Sequence, residues 1–235
     1  QTFNIDAKGV VTKAHTPGFY TTGDNNWFYA DSHGRNVTGA QIINGQHLYF
    51  DANGRQVKGG FVMNTDGSRS FYHWNTGDKL VSTFFTTGHD RWYYADDKGN
   101  VVTGAQVING QKLFFATDGK QVKGDFATNA NGSRSYYHGA TGNKLVSTFF
   151  TTGDNNWYYA DAKGEVVVGE QTINGQNLYF DQTGKQVKGA TATNPDGSIS
   201  YYDVHTGEKV INRWVKIPSG QWVYFNAQGK GYVSN

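Results

Sequence analysis

The fold is decided by a stretch that the chain repeats, WFYADSHGRNVTGAQIINGQHLYFDANGRQVKG, from Trp27 to Gly59. It returns as WYYADDKGNVVTGAQVINGQKLFFATDGKQVKG from Trp92 to Gly124, and as WYYADAKGEVVVGEQTINGQNLYFDQTGKQVKG from Trp157 to Gly189. The tryptophan that opens each copy recurs every 65 residues, at Trp27, Trp92, Trp157 and Trp222. A fixed period without slippage indicates one structural unit that has been copied and stacked.

The composition favours a protein whose buried area is mostly aromatic. Aromatic residues make up 15% of the chain, while mean hydropathy is −0.63, and the 31 glycines indicate many turns. The net charge is only +2 and there is no basic stripe, which argues against nucleic-acid binding. No apolar run approaches about 18 residues, so no membrane span is predicted. The absence of cysteine excludes disulfides and cysteine-ligated metals.

Each period divides into three units of hairpin size. The first carries W-[FY]-Y-A-D-x-x-G, the second INGQ with L-[YF]-F and G-[RK]-Q-V-K-G, and the third N-x-[DN]-G-S-x-S-[FY]-Y with T-G-x-K. An aromatic strand, a glycine turn such as Ala52–Gly54, and a short strand such as Gln56–Lys58 predict a β-hairpin within each unit. One hairpin alone is marginal in water. We therefore expect an all-β fold, a β-solenoid of nine or ten stacked short hairpins.

The predicted organisation is a single elongated domain of repeats. Residues 1–18 are a degenerate partial repeat, in which FNIDAKG (Phe3–Gly9) matches YYADAKG (Tyr158–Gly164). Three full repeats then occupy residues 19–83, 84–148 and 149–213, and residues 214–235 begin a fourth. We expect the chain to come from a longer array.

No catalytic or metal site is predicted, and no cofactor is expected. Of the seven histidines, only His73 and His138 are related by the period, and Asp203 replaces them in the next copy. A catalytic or metal-binding histidine would recur with the aromatic residues, so these are interpreted as loop residues. Three aspartates do recur, each in a turn that an Asx-type hydrogen bond explains: Asp31, Asp96 and Asp161.

Two polar residues recur in every copy although no hairpin needs them. One is a glutamine between the first and second units, and the other is a lysine at the end of the second. With the tyrosine of the W-[FY]-Y strand they could hold a neutral sugar, because a ring stacks on its C–H face while an amide and an ammonium group bond its hydroxyls. The candidate sugar-binding residues are Tyr29, Gln41, Lys58, Tyr94, Gln106, Lys123, Tyr159, Gln171 and Lys188.

A structural role for the same residues remains open at this point. Glutamine at a strand edge can satisfy backbone groups, lysine can protect an edge strand, and the tyrosine can belong to the core. Alternation places Phe28, Tyr93 and Tyr158 on the opposite face from the tryptophan and tyrosine of each strand, without saying which face is exposed. The third unit lacks the glutamine and lysine and is interpreted as a spacer.

The quoted motifs resemble the YG-type, cell-wall-binding-like repeats of glucan-binding domains. These occur in glucansucrases of lactic acid bacteria, the dextransucrases and branching sucrases of glycoside hydrolase family 70, and the chain looks most like their domain V. The resemblance covers residues 19–235. It implies pockets in which tyrosine stacks on an α-glucan while glutamine and lysine bond it, carried over to the same nine residues. In the third copy Glu170 adds a carboxylate beside Gln171, which puts that pocket in question.

The resemblance implies a non-catalytic carbohydrate-binding module from a secreted, sucrose-dependent glucosyltransferase. Its partners would be dextran-like α-glucans and isomalto-oligosaccharides, with no nucleic acid, no membrane and no cofactor. We expect an extracellular monomer, at or near the cell surface. The alternatives are a choline- or cell-wall-binding module, whose hairpins carry a G-W…W-Y-Y repeat, a clostridial-toxin-like repeat, and a structural spacer.

Overall fold

The computed structural model describes residues 3–5, 8–23, 26–153 and 156–233, so Asp6 and Ala7 of the FNIDAKG match lie outside the described residues. In these ranges every regular element is a β-strand. The strands are β1 Phe3–Ile5, β2 Val11–Lys13, β3 Gly18–Thr21, β4 Trp27–Ala30, β5 Gly39–Ile43, β6 Gln46–Phe50, β7 Gly60–Met63, β8 Arg69–Tyr72, β9 Thr83–Thr86, β10 Trp92–Ala95, β11 Gly104–Ile108, β12 Gln111–Phe115, β13 Asp125–Thr128, β14 Arg134–Tyr137, β15 Thr148–Thr151, β16 Trp157–Ala160, β17 Gly169–Ile173, β18 Gln176–Phe180, β19 Ala190–Thr193, β20 Ile199–Tyr202, β21 Arg213–Lys216 and β22 Trp222–Phe225.

Consecutive strands pair into two-stranded sheets. The described part of the chain contains eleven such sheets, from β1–β2 to β21–β22, where the sequence predicts nine or ten hairpins, because the partial repeat at the start also forms the hairpin β1–β2. The registers that join the paired strands are antiparallel. The predicted all-β fold of repeated short hairpins is thereby confirmed. No helix that is long and apolar enough to cross a membrane occurs among these residues.

The position of the hairpins within each unit differs from the prediction. The aromatic strand is the second strand of its hairpin, since β4 pairs with the preceding β3. The predicted strand Gln56–Lys58 is wrong, because Gln56 forms only an isolated bridge with Phe50. Its backbone amide instead donates a hydrogen bond of 2.7 Å to the Trp27 carbonyl in the preceding hairpin. The glycine turn after the aromatic strand therefore leads the chain to a contact with the neighbouring hairpin. It does not connect two paired strands of one sheet.

Local chemistry explains the turns. Asn44 and Gly45 have φ of 51° and 79°, and this pair of positive φ angles is what a two-residue type I′ hairpin between β5 and β6 requires. The Asp31 carboxylate accepts a hydrogen bond of 2.8 Å from the backbone amide two residues later. Asp96 and Asp161 do the same at 2.9 and 2.8 Å, so the predicted Asx-type turns are confirmed.

The chain forms two compact units. The first comprises residues 1–106 and 115–121. One of its cores joins Phe71, Phe85 and Tyr93, and the Phe71 and Phe85 rings stack at 4.6 Å. A second core consists of Ile43, Leu48 and Phe50 with Tyr29 and Val37 packed against them. Single backbone hydrogen bonds join each hairpin to the one before it: Gln56 to Trp27, Lys79 to His47, Val101 to Arg69 and Gln121 to Trp92.

The second unit comprises residues 107–114 and 122–235. Its Tyr136 and Phe150 rings stack at 4.6 Å, the distance found for the corresponding pair of the first unit. Its other cores centre on Leu178 with Phe180 and on Phe225. Backbone hydrogen bonds again join successive hairpins: Val166 to Arg134, Gln186 to Trp157 and Lys209 to Asn177.

The structure decides which face of the W-[FY]-Y strands is exposed. Tyr93 and Tyr158 are buried in aromatic cores, whereas Trp92 and Trp157 are 36% and 41% exposed. The tryptophan face is therefore the one that can meet a ligand.

Candidate functional site

The first copy has an open depression beside two tyrosines, which we call the first tyrosine depression. It lies over the β5–β6 hairpin and reaches the third unit of the same copy, with a volume of about 520 Å³. Its lining residues are Gly39, Ala40, Gln41, Ile42, His47, Leu48, Tyr49, Met63, Asn64, Thr65, Tyr72 and Lys79.

The backbone fixes this depression firmly. The Lys79 amide donates to the His47 carbonyl at 2.9 Å, and the Asp78 carboxylate accepts from the His47 amide at 2.8 Å. These two bonds set the lysine beside the tyrosine-bearing hairpin. The Tyr49 and Tyr72 ring centroids are 5.9 Å apart and tilted by 47°. Tyr72 is buried and burial raises its pKa, so its hydroxyl stays protonated and can donate.

The corresponding depression of the third copy lies in the second compact unit and has a volume of about 350 Å³. Its lining includes Gln171, Asn177 and Lys209. Here a carboxylate occupies the position of Ala40. Glu170 Oε1 accepts hydrogen bonds from Lys209 Nζ at 2.5 Å and from the Tyr202 hydroxyl at 3.0 Å. The Lys209 hydrogen bond is the main reason that the pKa of Glu170 is lowered, while burial raises the pKa of Tyr202.

A further depression, which we call the tryptophan depression, lies in the first compact unit and has a volume of about 350 Å³. It is lined by Phe19, Trp27, Gln46, Gln56, Lys58, Asn75 and Thr76. The Lys58 ammonium lies 5.0 Å from the centre of the Trp27 ring, a cation–π contact. In the second unit Lys188 lies over Trp157 in the same way, at 5.6 Å.

The structure separates two of the predicted residues of the first copy. Gln41 lines the first tyrosine depression, and its Nε2 donates to the Thr38 carbonyl at 2.8 Å. Lys58 lines the tryptophan depression instead. Tyr29 packs on the Leu48 core and meets Phe19 edge-on at 4.9 Å. The three predicted residues of one copy therefore do not line one common depression.

The other copies repeat parts of this arrangement. Gln106 and Gln171 donate to the carbonyls of Thr103 and Val168 at 2.7 and 2.8 Å. Tyr94 meets Phe84 at 4.8 Å, and Tyr159 meets Phe149 at the same distance. Tyr94 and Gln106 belong to the first unit, whereas Lys123, a half-buried residue, belongs to the second.

Sequence reasoning missed four side chains of the first tyrosine depression: Tyr49, Tyr72, Lys79 and His47. The interpretation of His47 as a loop residue is wrong, because His47 lies in β6 and lines the depression. A signal was present, because Tyr72 recurs as Tyr137 and Tyr202, and Lys79 recurs as Lys144 and Lys209. The third unit, interpreted as a spacer, supplies Tyr72 and Lys79 to the lining. Sequence alone could not show this, since it does not reveal which hairpin face meets the unit that follows.

The first tyrosine depression offers groups for a neutral, hydroxylated ligand. A half-buried ring provides a flat apolar surface, and an amide, an imidazole and an ammonium group provide donors and acceptors. No group of three His, Asp or Glu side chains that could hold a metal ion is found in the described ranges.

Comparison with known proteins gives a consistent answer. A family model described as a choline-binding repeat matches residues 37–84, 102–149 and 167–214. A second, described as a putative cell wall binding repeat, matches 82–101, 147–166 and 212–230.

Curated relatives are glucosyltransferases. The chain is 40% identical over 206 residues to glucosyltransferase-S of Streptococcus mutans serotype c, covering 88% of this chain and 14% of that protein. It is 46% identical over 190 residues to glucosyltransferase-I of the same organism, covering 81% and 13%. The chain thus spans about one seventh of the length of these relatives. The resemblance to glucansucrase repeats is confirmed by these matches.

Solved structures share the fold. Choline binding protein F from Streptococcus pneumoniae matches with a TM-score of 0.66 and 17% identity, covering 98% of this chain and 89% of that one. The choline-binding domain of CbpL from the same organism gives 0.57 and 19%, covering 85% and 99%. The choline-binding repeat model covers more than half of the residues of this chain. The chain therefore belongs to the choline-binding repeat family.

Proposed function

We propose that this chain is a non-catalytic carbohydrate-binding region that binds α-glucans in shallow depressions of its repeats. One observation carries the proposal. In the first copy two tyrosine rings 5.9 Å apart border an open depression of about 520 Å³ that also contains Gln41, His47 and Lys79. A broad and shallow surface that combines a half-buried ring with several polar side chains suits a glucan chain better than a small apolar ligand.

Each group has a distinct role in this proposal. Tyr49 offers its ring face to the C–H side of a glucosyl residue. Gln41 already donates to the Thr38 carbonyl, so its Oε1 accepts from a sugar hydroxyl. Lys79 donates hydrogen bonds to the hydroxyl or ring oxygens of the sugar. Tyr72 lines the same depression beside Tyr49. The ligand needs no charge of its own.

The tryptophan depression forms a second contact for the same glucan. Lys58 would bond sugar hydroxyls there, and Lys188 would do so beside Trp157 in the second compact unit, while Gln46 and Gln56 supply amides in the first copy. In the first copy this divides the predicted glutamine and lysine between two contacts: Gln41 serves the tyrosine depression and Lys58 serves the tryptophan depression. Tyr29, Tyr94 and Tyr159 then support the hairpins from which these groups project. All nine assignments remain predictions.

Choline is the second candidate ligand, because the family model and the fold both suggest it. A quaternary ammonium ion is held by aromatic faces. In the first copy the Lys58 ammonium already lies 5.0 Å over the Trp27 ring, and Lys188 lies 5.6 Å over Trp157. An internal cation at these rings disfavours choline and favours a neutral ligand.

The wider setting follows from the relatives. We infer that the chain is a repeat region of a secreted, sucrose-dependent glucosyltransferase that acts outside the cell, and that it is monomeric. Within each unit, the hairpins stack as a β-solenoid with a structural period of 65 residues. Several weak sites on one chain would raise apparent glucan affinity about 10²- to 10⁴-fold when one glucan reaches more than one of them.

The test is affinity electrophoresis of the whole chain in native gels with and without dextran. We expect dextran to retard the chain and free isomaltotriose to restore its migration. The double variant Tyr49→Ala with Lys79→Ala should reduce the retardation, and the separate variant Lys58→Ala tests the tryptophan depression. Equal migration in both gels, with circular dichroism showing an intact fold, would contradict the proposal. Retention on a choline resin without dextran retardation would establish the second candidate.

A further inference from the structure

A cleft of about 380 Å³ lies on the first unit apart from the depressions described above. It is lined by Gly59, Phe71, Trp74, Thr86, Thr87 and Gly88. Trp74 is 45% exposed, while Phe71 beneath it is buried. The cleft therefore presents one large aromatic surface to solvent.

Trp74 is specific to the first copy. The period places Gly139 and Val204 at the equivalent positions of the second and third copies. The surrounding frame is more constant, since Gly59 recurs as Gly124 and Gly189. A side chain that only completed a core would be expected in all three copies, so the indole adds something that the repeat itself does not need.

The indole is held in a fixed orientation. Its ring meets Phe71 edge-on at 5.4 Å and lies parallel to the His73 ring at 5.3 Å and 8°. His73 is fixed in turn, because its Nδ1 accepts a hydrogen bond of 3.3 Å from the Thr76 amide. Gly59 permits this approach, since a Cβ there would lie 3.1 Å from the Trp74 Cβ. An exposed ring held in advance loses little conformational freedom when it binds.

The cleft is also lined by a polar but uncharged segment, the two threonines Thr86 and Thr87 followed by Gly88. Thr86 Oγ1 accepts a hydrogen bond of 3.1 Å from the Gly88 amide, which leaves the hydroxyl proton of Thr86 to be donated. An aromatic ring and hydroxyl groups in one cleft match a hexopyranose, which has C–H faces and equatorial hydroxyl groups.

We propose that Trp74 is an additional sugar subsite, in which one glucosyl residue of a bound α-glucan stacks on the indole and bonds the threonine hydroxyls. The proposal rests on the glucan-binding function proposed above and adds to it a site that is not repeated. The first copy then has one more contact than its neighbours. A quaternary ammonium is disfavoured, because it needs several exposed ring faces and this cleft offers one.

The first experiment follows the indole N–H signals of the whole chain by NMR during titration with isomaltotriose. The Trp74 signal is assigned by its loss in Trp74→Phe. We expect this signal to shift in a saturable manner, and to do so as well in the double variant Tyr49→Ala with Lys79→Ala. A titration with choline chloride is the control, and it should leave the signal unmoved.

The second experiment uses the copies as matched variants. Trp74→Gly reproduces the residue of the second copy and should weaken retardation in dextran gels about 2- to 10-fold, the usual effect of one aromatic contact. Gly139→Trp introduces the indole into the second copy. The backbone of Gly139 is not left-handed, and an added Cβ meets only the Gly124 Cα, at 3.7 Å. This variant should gain affinity by a similar factor.

The outcomes separate the two proposals. If dextran retards the wild type but isomaltotriose leaves the Trp74 signal unmoved, the Trp74 subsite is overturned and glucan binding stands. If the wild type is not retarded at all, glucan binding fails and the subsite fails with it. A Trp74 signal that shifts with choline alone would also overturn the subsite. If Trp74→Gly does not fold, the titration and Gly139→Trp still decide the question.

Discussion

The depressions of the first and third copies share a backbone frame and differ in their side chains, most importantly in a carboxylate that only the third copy has. In both, two rings lie close together, Tyr49 with Tyr72 at 5.9 Å and Tyr179 with Tyr202 at 5.5 Å. In both, a backbone amide of the lysine bonds the preceding hairpin, at 2.9 and 2.8 Å. The first copy has Ala40 where the third has a glutamate that binds both Lys209 and the Tyr202 hydroxyl.

This difference shows that copies with the same backbone fold can present different side chains to a ligand. The backbone bonds and the buried rings are the same, so the hairpins form in the same way. The groups that would meet a sugar are instead already engaged in the third copy, because Glu170 takes up the lysine ammonium and the phenol. The third-copy depression should therefore bind glucan more weakly than the first.

The largest expected effect shows what the two copies share. Leu48 and Leu178 are each 1% exposed at equivalent core positions. Leu48→Ala and Leu178→Ala should each lower the free energy of unfolding by about 2–5 kcal/mol, through lost burial and a cavity. Chemical denaturation followed by tryptophan fluorescence measures both. Markedly unequal costs would mean that the copies differ in their cores as well as at their surfaces.

Exchanging the differing residue should move binding between the copies. Glu170→Ala frees Lys209 and Tyr202 and should strengthen dextran retardation about 2- to 10-fold, the effect of one or two recovered hydrogen bonds. Ala40→Glu should weaken it by a similar factor. Affinity electrophoresis of the two variants beside the wild type measures this. Weaker retardation of Glu170→Ala, stronger retardation of Ala40→Glu, or no change in either variant would show that the carboxylate does not control the site.

Because of its ion pair, Lys209 should contribute more to the stability of the fold than Lys79 does. Lys209 Nζ lies 2.5 Å from Glu170, and the Lys209 side chain is only 14% exposed. Since Glu170 is 55% exposed, the ion pair itself should account for at most about 1 kcal/mol of the stability lost in Lys209→Ala. Lys79 shares its depression with Ala40 and is only a minor cause of the lowered pKa of Asp66, so Lys79→Ala should cost less. Thermal melts of the two variants at low and high salt decide this, and a larger loss for Lys79→Ala would contradict the comparison.

The smallest effect is the contribution of Glu170 to the pH dependence of stability. The pKa of Glu170 is lowered in the fold, chiefly by the Lys209 hydrogen bond. A lowered pKa means that the ionised glutamate stabilises the fold above its ordinary pKa of about 4.3, and that this contribution is lost as pH falls through the folded-state pKa. Wild type should therefore melt slightly higher than Glu170→Gln near neutral pH and converge with it in acid. A gap that widens as pH falls would reverse the assignment.

Much of the fold could be predicted from sequence because it depends on local chemistry. The Asn44–Gly45 pair needs only positive φ, and the turn at Asp31 needs only a carboxylate two residues before an amide. The strand pairing was harder to predict. The local pattern predicts that Gln56 lies in a strand paired with the aromatic strand before it. Its backbone amide instead donates a hydrogen bond to the Trp27 carbonyl in the previous hairpin, and no local pattern indicates that partner.

The candidate site divides in the same way. The sequence by itself determined that the chain is a repeat of aromatic hairpins and that Gln41 and Lys58 recur in every copy, because spacing and turn residues are properties of the linear chain. Only the tertiary structure decided that Gln41 and Lys58 line different depressions, and that Tyr72 and Lys79 from the next hairpin complete the first. A depression forms where one hairpin packs on another, and that packing depends on burial of rings that are distant in sequence.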